Sequence, residues 1–512
     1  METNSLASLT WDQLHQQGCA SLDANNPDAA AELFRQALTV NTMAVPPRAM
    51  LAGILTERCD LDGAAEQYQL ALRAGPDAKV RIAAATALPP IYDSSDHIDE
   101  CRATLLQRLD ALHAEGVTLN PLRGPIPNLF HLAYQGRNDR DVMQSFAKLF
   151  APSPWATEPL APRPAVDGRI RVGLISAYFC NHTIGTLNLG LVEQLDRQRF
   201  HVTVLAAARH DDETSREYRT HADRYIVLPN DIAAAVRMIR GLNLDCVLFT
   251  DLGMSCVTLA LAHARLAPRQ AVTWGHPLTT GIPTIDDFLS GSLFESEMAQ
   301  GHYTERLVRL RGLQTYYPRP VRQREYTRTE FNLPNDCTLY GCPQTLFKLH
   351  PDMDVVFKTI LESDPAGRLV LIEGRNKYWK ERLLQRWQRT MPRVLSKIIW
   401  LPALDKARYL GLCSLIDVML DPLHFGGGNT TLEALAMGTP VVTLPSPYLR
   451  SRLSLGFYQH MGMNEYVANN VEQYITIALD HKMHRSRREV IAKQCSALFQ
   501  HDDSINAIEG YF

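Results

Sequence analysis

The sequence predicts two doubly wound α/β domains in tandem behind an all-α N-terminal region, and three observations carry that prediction. From residue 169 onward, short β-branched and aliphatic runs alternate with helical stretches, the pattern of open parallel sheets covered by helices. Upstream, Ala30, Phe34 and Ala37 recur as Ala64, Tyr68 and Ala71, an offset of 34 residues at each position. Between the two regions lie Pro152, Pro154, Pro159, Pro162 and Pro164, a density that excludes regular helix and marks an extended connector.

The 34-residue offset is the period of tetratricopeptide helical hairpins. The small-aromatic-small series falls on the second helix of each hairpin, where small residues allow close approach and the aromatic ring fills the groove. Gly18 takes the small position of the first repeat and Pro76 closes the second. The repeats occupy residues 1–80, and helical sequence at 95–115 and 139–150 continues or caps them over 81–150, with the linker at 151–168. In the first α/β domain, 169–325, strands are expected at 170–176, 202–206, 245–250 and 270–274. In the second, 326–512, they are expected at 338–342, 368–373, 397–401, 416–420 and 440–444. The arginine-rich stretch 306–334 reads as a solvated linker between them, because acids intervene and no aromatic stacking pattern marks it as an RNA strip. Two such domains imply a ligand cleft between their strand C-termini.

Composition narrows the function. With 46% apolar and 21% charged residues, the 512-residue chain is a folded protein and not a disordered one. The 52 Lys+Arg against 55 Asp+Glu leave a net charge of -3, which excludes global attraction to nucleic acid or anionic membrane, so any anion site is local. The ten cysteines show neither CxxC pairs nor zinc spacing and read as reduced thiols. Residues 1–10 lack the pattern of a secretory signal, and no window reaches the ~18 apolar residues of a spanning helix. A cytoplasmic protein with no nucleic-acid partner and no membrane insertion is expected.

The chemistry concentrates in residues 421–444. The segment follows a predicted strand, passes through Gly426, Gly427 and Gly428, and opens a helix at about Asn429. Glycines let backbone approach a ligand, and the free N–H groups at a helix start favour phosphate. Thr430 and Thr431 add hydroxyl donors; Glu433, one turn in, would repel phosphate and is expected to accept from ribose hydroxyls. Neither GxGxxG nor GxxxxGK[ST] is present, which argues against a dinucleotide cofactor and a P-loop. A turn serving only strand-to-helix geometry is the bland alternative, weakened by three successive glycines followed by two threonines.

The run Glu433–Val442 resembles the nucleotide-sugar end of glycosyltransferases with the GT-B fold, two Rossmann-like domains facing a cleft. Residues 274–286 with 302–307 resemble the catalytic region of the O-GlcNAc transferase and SPINDLY family, and Asn181-His182-Thr183 and residues 345–351 match two further blocks. Tetratricopeptide repeats ahead of the catalytic half complete the likeness, that of a bacterial member. The core is also similar to bacterial N-glucosyltransferases that modify adhesins. The resemblance implies inverting, metal-independent transfer of GlcNAc from UDP-GlcNAc to serine or threonine hydroxyls of a protein held in the tetratricopeptide groove, with no cofactor.

Carried over, His182 lies near acceptor and sugar, to take the acceptor proton or orient the donor; a helix-capping histidine is the alternative. His276 is the second cleft histidine, or a packed turn. Lys348 would offset charge on the departing nucleotide, as a metal does in other transferases, with Gln344 nearby. Gly426, Gly427, Gly428, Asn429, Thr430, Thr431 and Glu433 bind the donor. Asp352-Met353-Asp354 has the DxD look of a metal site but follows Pro351 at a helix start, so capping and no metal are expected. Asn429 stands where the animal O-GlcNAc transferase has histidine, which leaves UDP-glucose transfer to asparagine and GDP-fucose transfer to serine or threonine as alternatives. Asp287 replaces a tyrosine common in the family and reads as structural. A repeat scaffold carrying a non-catalytic, sugar-nucleotide-sensing GT-B module is the alternative from another class.

Overall fold

The computed structural model describes residues 9–158, 160 and 167–512, and the chain divides into two compact units, residues up to 92 with 96–119, and 93–95 with 120–512. The first unit is helical: α1 (Trp11–Asp23), α2 (Pro27–Val40), α3 (Val45–Glu57), α4 (Leu61–Ala74), α5 (Ala78–Ala85) and α6 (Ser95–Ala114). Thr10 opens α1 with a capping box to Gln13, and Asn26, Asp60 and Asp77 cap α2, α4 and α5, each satisfying an N–H that the first turn leaves free. α1 pairs with α2 and α3 with α4. All six residues of the 34-residue series are buried, on α2 and α4, so the offset is a packing period. Gly18 is required by contact: a Cβ there would lie 2.4 Å from the Phe34 ring. The continuation expected over 81–150 is divided at residue 119, and residues 120–150 belong to the second unit.

That unit holds two wholly parallel sheets. The first, in the order β3-β2-β1-β4-β5-β6-β7, comprises β1 (Ile170–Ser176), β2 (Phe200–Ala206), β3 (Arg224–Val227), β4 (Cys246–Phe249), β5 (Arg269–Thr273), β6 (Asp287–Gly291) and β7 (Arg306–Leu310). The second, in the order β10-β9-β8-β11-β12, comprises β8 (Leu339–Gly341), β9 (Arg368–Ile372), β10 (Ile398–Leu401), β11 (Val418–Leu420) and β12 (Val441–Val442). Helices cover both faces of such sheets, so the central strands read as unbroken apolar runs, as in the fully buried β4. The strand order reverses between β1 and β4 and between β8 and β11, and the loops after these four strands are where doubly wound folds bind ligands.

Three strands differ from the sequence reading. β3, β6 and β7 were not expected, and β7 occupies the start of the stretch read as linker. Arg306 on β7 and Arg269 on β5 flank Asp287 on β6 at 2.6 and 3.1 Å, and Tyr511 donates to the same carboxylate at 2.8 Å. These pairings neutralise a nearly fully buried acid, and they turn an arginine-bearing segment into an edge strand. Arg309 reaches the Ser296 and Glu297 carbonyls, and Arg328 pairs with Asp417. The last helix, Asp502–Tyr511, returns to the first sheet, where Ile505, Ile508 and Tyr511 share a core with Val172, Phe200 and Val204. The segment 326–512 therefore supplies a piece of the first domain. In the proline-rich connector, Pro154 starts a short helix, Pro154–Thr157, in the first turn, where proline is tolerated; Pro159, Pro162 and Pro164 lie outside the described residues, as do residues 1–8 of the signal reading. None of the ten cysteines forms a disulfide. Among the described residues no helix is long and apolar enough to cross a membrane.

Candidate functional site

The second sheet builds one bonded network at its switch point. Past β8, Gln344 precedes a 3-10 turn, Leu346–Lys348; past β11, Asp421 leads into the glycines and the helix Asn429–Ala436. Lys348 Nζ donates to Gln344 Oε1 at 3.0 Å and to the Gly426 carbonyl at 3.3 Å, and lies 4.9 Å from the centre of the Phe425 ring. Gln344 Nε2 in turn donates to the Thr430 hydroxyl at 2.7 Å. Burial pushes the Lys348 pKa down to about 8, with Asp421 pulling the other way, so the ammonium keeps most of its charge near neutral pH.

The glycines are spatial requirements. A Cβ on Gly427 would lie 2.3 Å from Thr430 Oγ1 and 2.9 Å from Gln344 Nε2, and one on Gly426 would lie 2.6 Å from Asp421 Oδ2. Gly428 is looser, with Leu453 at 3.2 Å and Trp274 of the first domain at 3.8 Å. The loop N–H groups are not all free for phosphate: Gly426 donates to the Arg450 carbonyl and Gly427 to Asp421. The open donors belong to the helix start, since Leu432 is the first residue whose N–H meets a carbonyl of that turn, at Gly428.

Three expected donor residues are already engaged. Thr431 is buried and its hydroxyl turns back to the Gly427 carbonyl and to Ser454, so it braces the loop. Asn429 accepts from Tyr317 and donates to Glu433 at 2.7 Å. Glu433 is buried and also pairs with Lys406. The expectation of a carboxylate open to ribose thus meets one whose Oε1 is held by Asn429 and Lys406.

The histidines sit on the first sheet and share no hydrogen bond with this network. His182 caps the helix Thr183–Gln194: its Nδ1 accepts from the Ile184 N–H at 3.2 Å, and its ring stacks on Tyr178 at 4.6 Å. Burial, then His210, lowers its pKa. With Nδ1 accepting, the neutral ring carries its proton on Nε2, the tautomer that this hydrogen bond assigns. In that tautomer Nε2 presents an N–H donor. His276 is buried and stacks on Phe130 at 5.0 Å; burial pushes its pKa down to about 3, with Arg450 and His131 adding to the effect, and its Nε2 has no partner.

Sequence reasoning missed three contributors. The turn Phe130–Gln135, read as part of a helical cap, lies between the two sheets: Tyr134 stacks on Phe425 at 4.4 Å and meets Phe347 at 4.5 Å, while Phe130 reaches His276. Its aromatic run was the available signal. Asp251, past β4, is fully buried and accepts from the Ala177 N–H at 2.8 Å, and burial raises its pKa to about 6. Asp421 is the third; only its place at the head of the loop marked it.

The DxD aspartates do not cap their helix. Asp354 is buried against Arg386 at 2.8 Å and accepts from Trp387 and Thr390, while Asp352 pairs with His424 at 2.8 Å. The amide of Asp352 is capped by His350 Nδ1 at 3.1 Å. His350, Asp352 and His424 lie close enough to meet one cation, but that amide already takes the His350 lone pair.

The profile of glycosyl transferase family 41 matches residues 320–505, the segment that carries this network. A SPINDLY protein of Hordeum vulgare, described as a probable UDP-N-acetylglucosamine--peptide N-acetylglucosaminyltransferase, is 25% identical over 377 residues, 69% of this chain and 39% of that protein. The similarly described SEC protein of Arabidopsis thaliana is 23% identical over 64% of this chain and 34% of its own length. The chain thus spans about two fifths or less of these relatives. A variant of the Thermobaculum terrenum O-GlcNAc transferase has the same fold, with a TM-score of 0.74 at 21% identity over 100% of this chain and 97% of that one. The helical region followed by two facing α/β domains is that GT-B arrangement, and residues 320–505 match glycosyl transferase family 41 in a chain similar to O-GlcNAc transferase and SPINDLY proteins.

Proposed function

We propose that this protein is an inverting, metal-independent glycosyltransferase that moves GlcNAc from UDP-GlcNAc to serine or threonine hydroxyls of proteins. The observation that carries the reading is the convergence of Lys348, Gln344 and the open N–H groups at the helix start after Gly428. Cation and helix dipole together suit a diphosphate and the charge that grows on it as UDP departs. The acceptor oxygen forms a bond to the anomeric carbon as the bond from that carbon to the phosphate oxygen breaks; UDP leaves with the electron pair and the acceptor proton passes to solvent or phosphate. Lys348 supplies the stabilisation for which other transferases use a metal, and the DxD carboxylates are committed to Arg386 and His424. His182 orients through Nε2–H. The relatives' printed activities support the donor and the protein acceptor, the helical repeats suit an extended peptide, and ten cysteines that form no disulfide suit the reducing cytoplasm.

The test is thermal shift of the purified protein in EDTA against UDP, UDP-GlcNAc, UDP-glucose, GDP and GDP-fucose, followed by mass spectrometry of acceptor proteins. Stabilisation by the uridine nucleotides and a GlcNAc mass increment support the reading. Because Asn429 is tied to Tyr317 and Glu433, the same panel reads whether glucose or fucose is preferred. Absence of any uridine-nucleotide binding would overturn the donor assignment and favour a scaffold.

A further inference from the structure

Asp421 follows β11 with its carboxylate 3% exposed. Its Oδ1 accepts the Gly427 N–H at 2.6 Å and its Oδ2 the Thr443 hydroxyl at 2.8 Å. The Gly427 N–H and the Gly426 carbonyl are two ends of one peptide group, and that carbonyl accepts from Lys348 Nζ at 3.3 Å. An anion and a cation thus grip a single peptide plane from opposite edges. The N–H turns inward to Asp421 and the carbonyl turns to the lysine, which aligns the peptide dipole with the pair. A methyl group at Gly426 would collide with Asp421 Oδ2, so the grip closes only around glycine.

We propose that Asp421 is a positioning residue of the donor site, acting on Lys348 through the Gly426–Gly427 peptide to hold the ammonium where a nucleoside diphosphate meets the helix start. This rests on the reading of the loop as a nucleotide-sugar site. A buried ammonium loses hydration, and a buried carboxylate one peptide away returns part of what is lost. The groups around the pair are otherwise neutral. Lys348 faces the Cys342 thiol, whose pKa burial raises far above the usual range, the Gln344 oxygen and the Phe425 ring. Asp421 faces Thr443, Ser454 and the buried phenols of Tyr458 and Tyr474.

The experiment measures the titration midpoint of Lys348 in the unliganded full chain, by competitive acetylation followed by mass spectrometry, in wild type and Asp421→Asn. Asparagine keeps an oxygen acceptor for Gly427, presents an amide NH2 to Thr443, whose hydroxyl can turn to accept it, and removes the charge, so the midpoint is expected to fall by about one unit or more. UDP affinity in EDTA should then drop roughly fivefold at pH 8, with the protonated fraction of Lys348, and little at pH 6. Gly426→Ala, which pries the grip apart without altering charge, should move the midpoint the same way and keeps the test available if Asp421→Asn does not fold. An unchanged midpoint in the folded variants overturns the proposal, as does an equal loss of UDP binding at every pH, the mark of a merely structural loop residue. A lowered midpoint in a protein that binds no UDP supports the grip and overturns the donor-site reading instead.

Discussion

Replacing Asp354 by asparagine separates the two roles open to a DxD sequence. The Asp354 carboxylate accepts from Arg386 Nε at 3.0 Å and Nη2 at 2.8 Å, from Trp387 Nε1 at 2.8 Å and from the Thr390 hydroxyl at 2.9 Å. The Arg386 side chain is wholly buried and that of Asp354 is 5% exposed. Asparagine leaves a guanidinium in the interior without its counter-charge, and breaking a buried pair in this way costs about 3–5 kcal/mol. At 2–4 °C per kcal/mol for a domain of this size, the melting transition of the α/β unit should fall by on the order of 10 °C. Asp352 is different, since its side chain is 43% exposed and its partner is His424, so Asp352→Asn should cost under about 1 kcal/mol. Differential scanning calorimetry of both variants reads the contrast, and turnover with EDTA reads metal dependence. A wild-type melting temperature for Asp354→Asn, together with turnover that EDTA abolishes, would refute the structural assignment.

On the proposed donor-site reading, Lys348→Met should lower turnover by about two to three orders of magnitude while the fold is retained, measured as GlcNAc transfer to a protein acceptor, because it removes the cation that this reading sets against the departing diphosphate. Wild-type UDP affinity should fall as pH rises through about 8, where Lys348 loses its proton, and Lys348→Arg should abolish that fall because guanidinium does not titrate there; calorimetry across pH 6–9.5 checks both. Gly18→Val forces a side chain into the Phe34 ring and should destabilise the helical unit by about 1–3 kcal/mol with UDP affinity unchanged, seen as an earlier helical transition in circular dichroism. Burial raises the Asp352 carboxyl, but the His424 hydrogen bond and His350 outweigh it and hold it well below the usual carboxylate range. Its stabilising contribution should therefore be full above about pH 4 and lost as pH falls further, an acid limb that Asp352→Asn removes from the stability profile.

Legibility followed the range of the interactions. β1 was expected at 170–176 and runs over Ile170–Ser176, because an unbroken apolar run between turn residues has one good solution. β7 was missed because Arg306 becomes a strand residue only through Asp287, 19 positions earlier in the chain. The strand-to-helix loop at Gly426–Gly428 was recognisable from three glycines and two threonines before a helix. That Thr431 braces the loop, and that Glu433 is held by Lys406, rests on partners 23 and 27 residues away. That the His182 ring caps its helix rests on a single local hydrogen bond to the Ile184 amide, which needed the helix start in place before it existed.

The sequence by itself determined the fold class, the 34-residue helical period and the glycine-rich strand-to-helix turn, since each arises from periodicity and backbone freedom within a few residues. Only the tertiary structure decided which donors and charges remain free once folding is complete. The DxD carboxylates are taken by Arg386 and His424, the Gly427 N–H is taken by Asp421, and the Lys348 ammonium is held by Gln344 and the Gly426 carbonyl. A polar group removed from water must find a partner; that partner comes from whichever segment the fold brings near, and spacing along the chain does not record it.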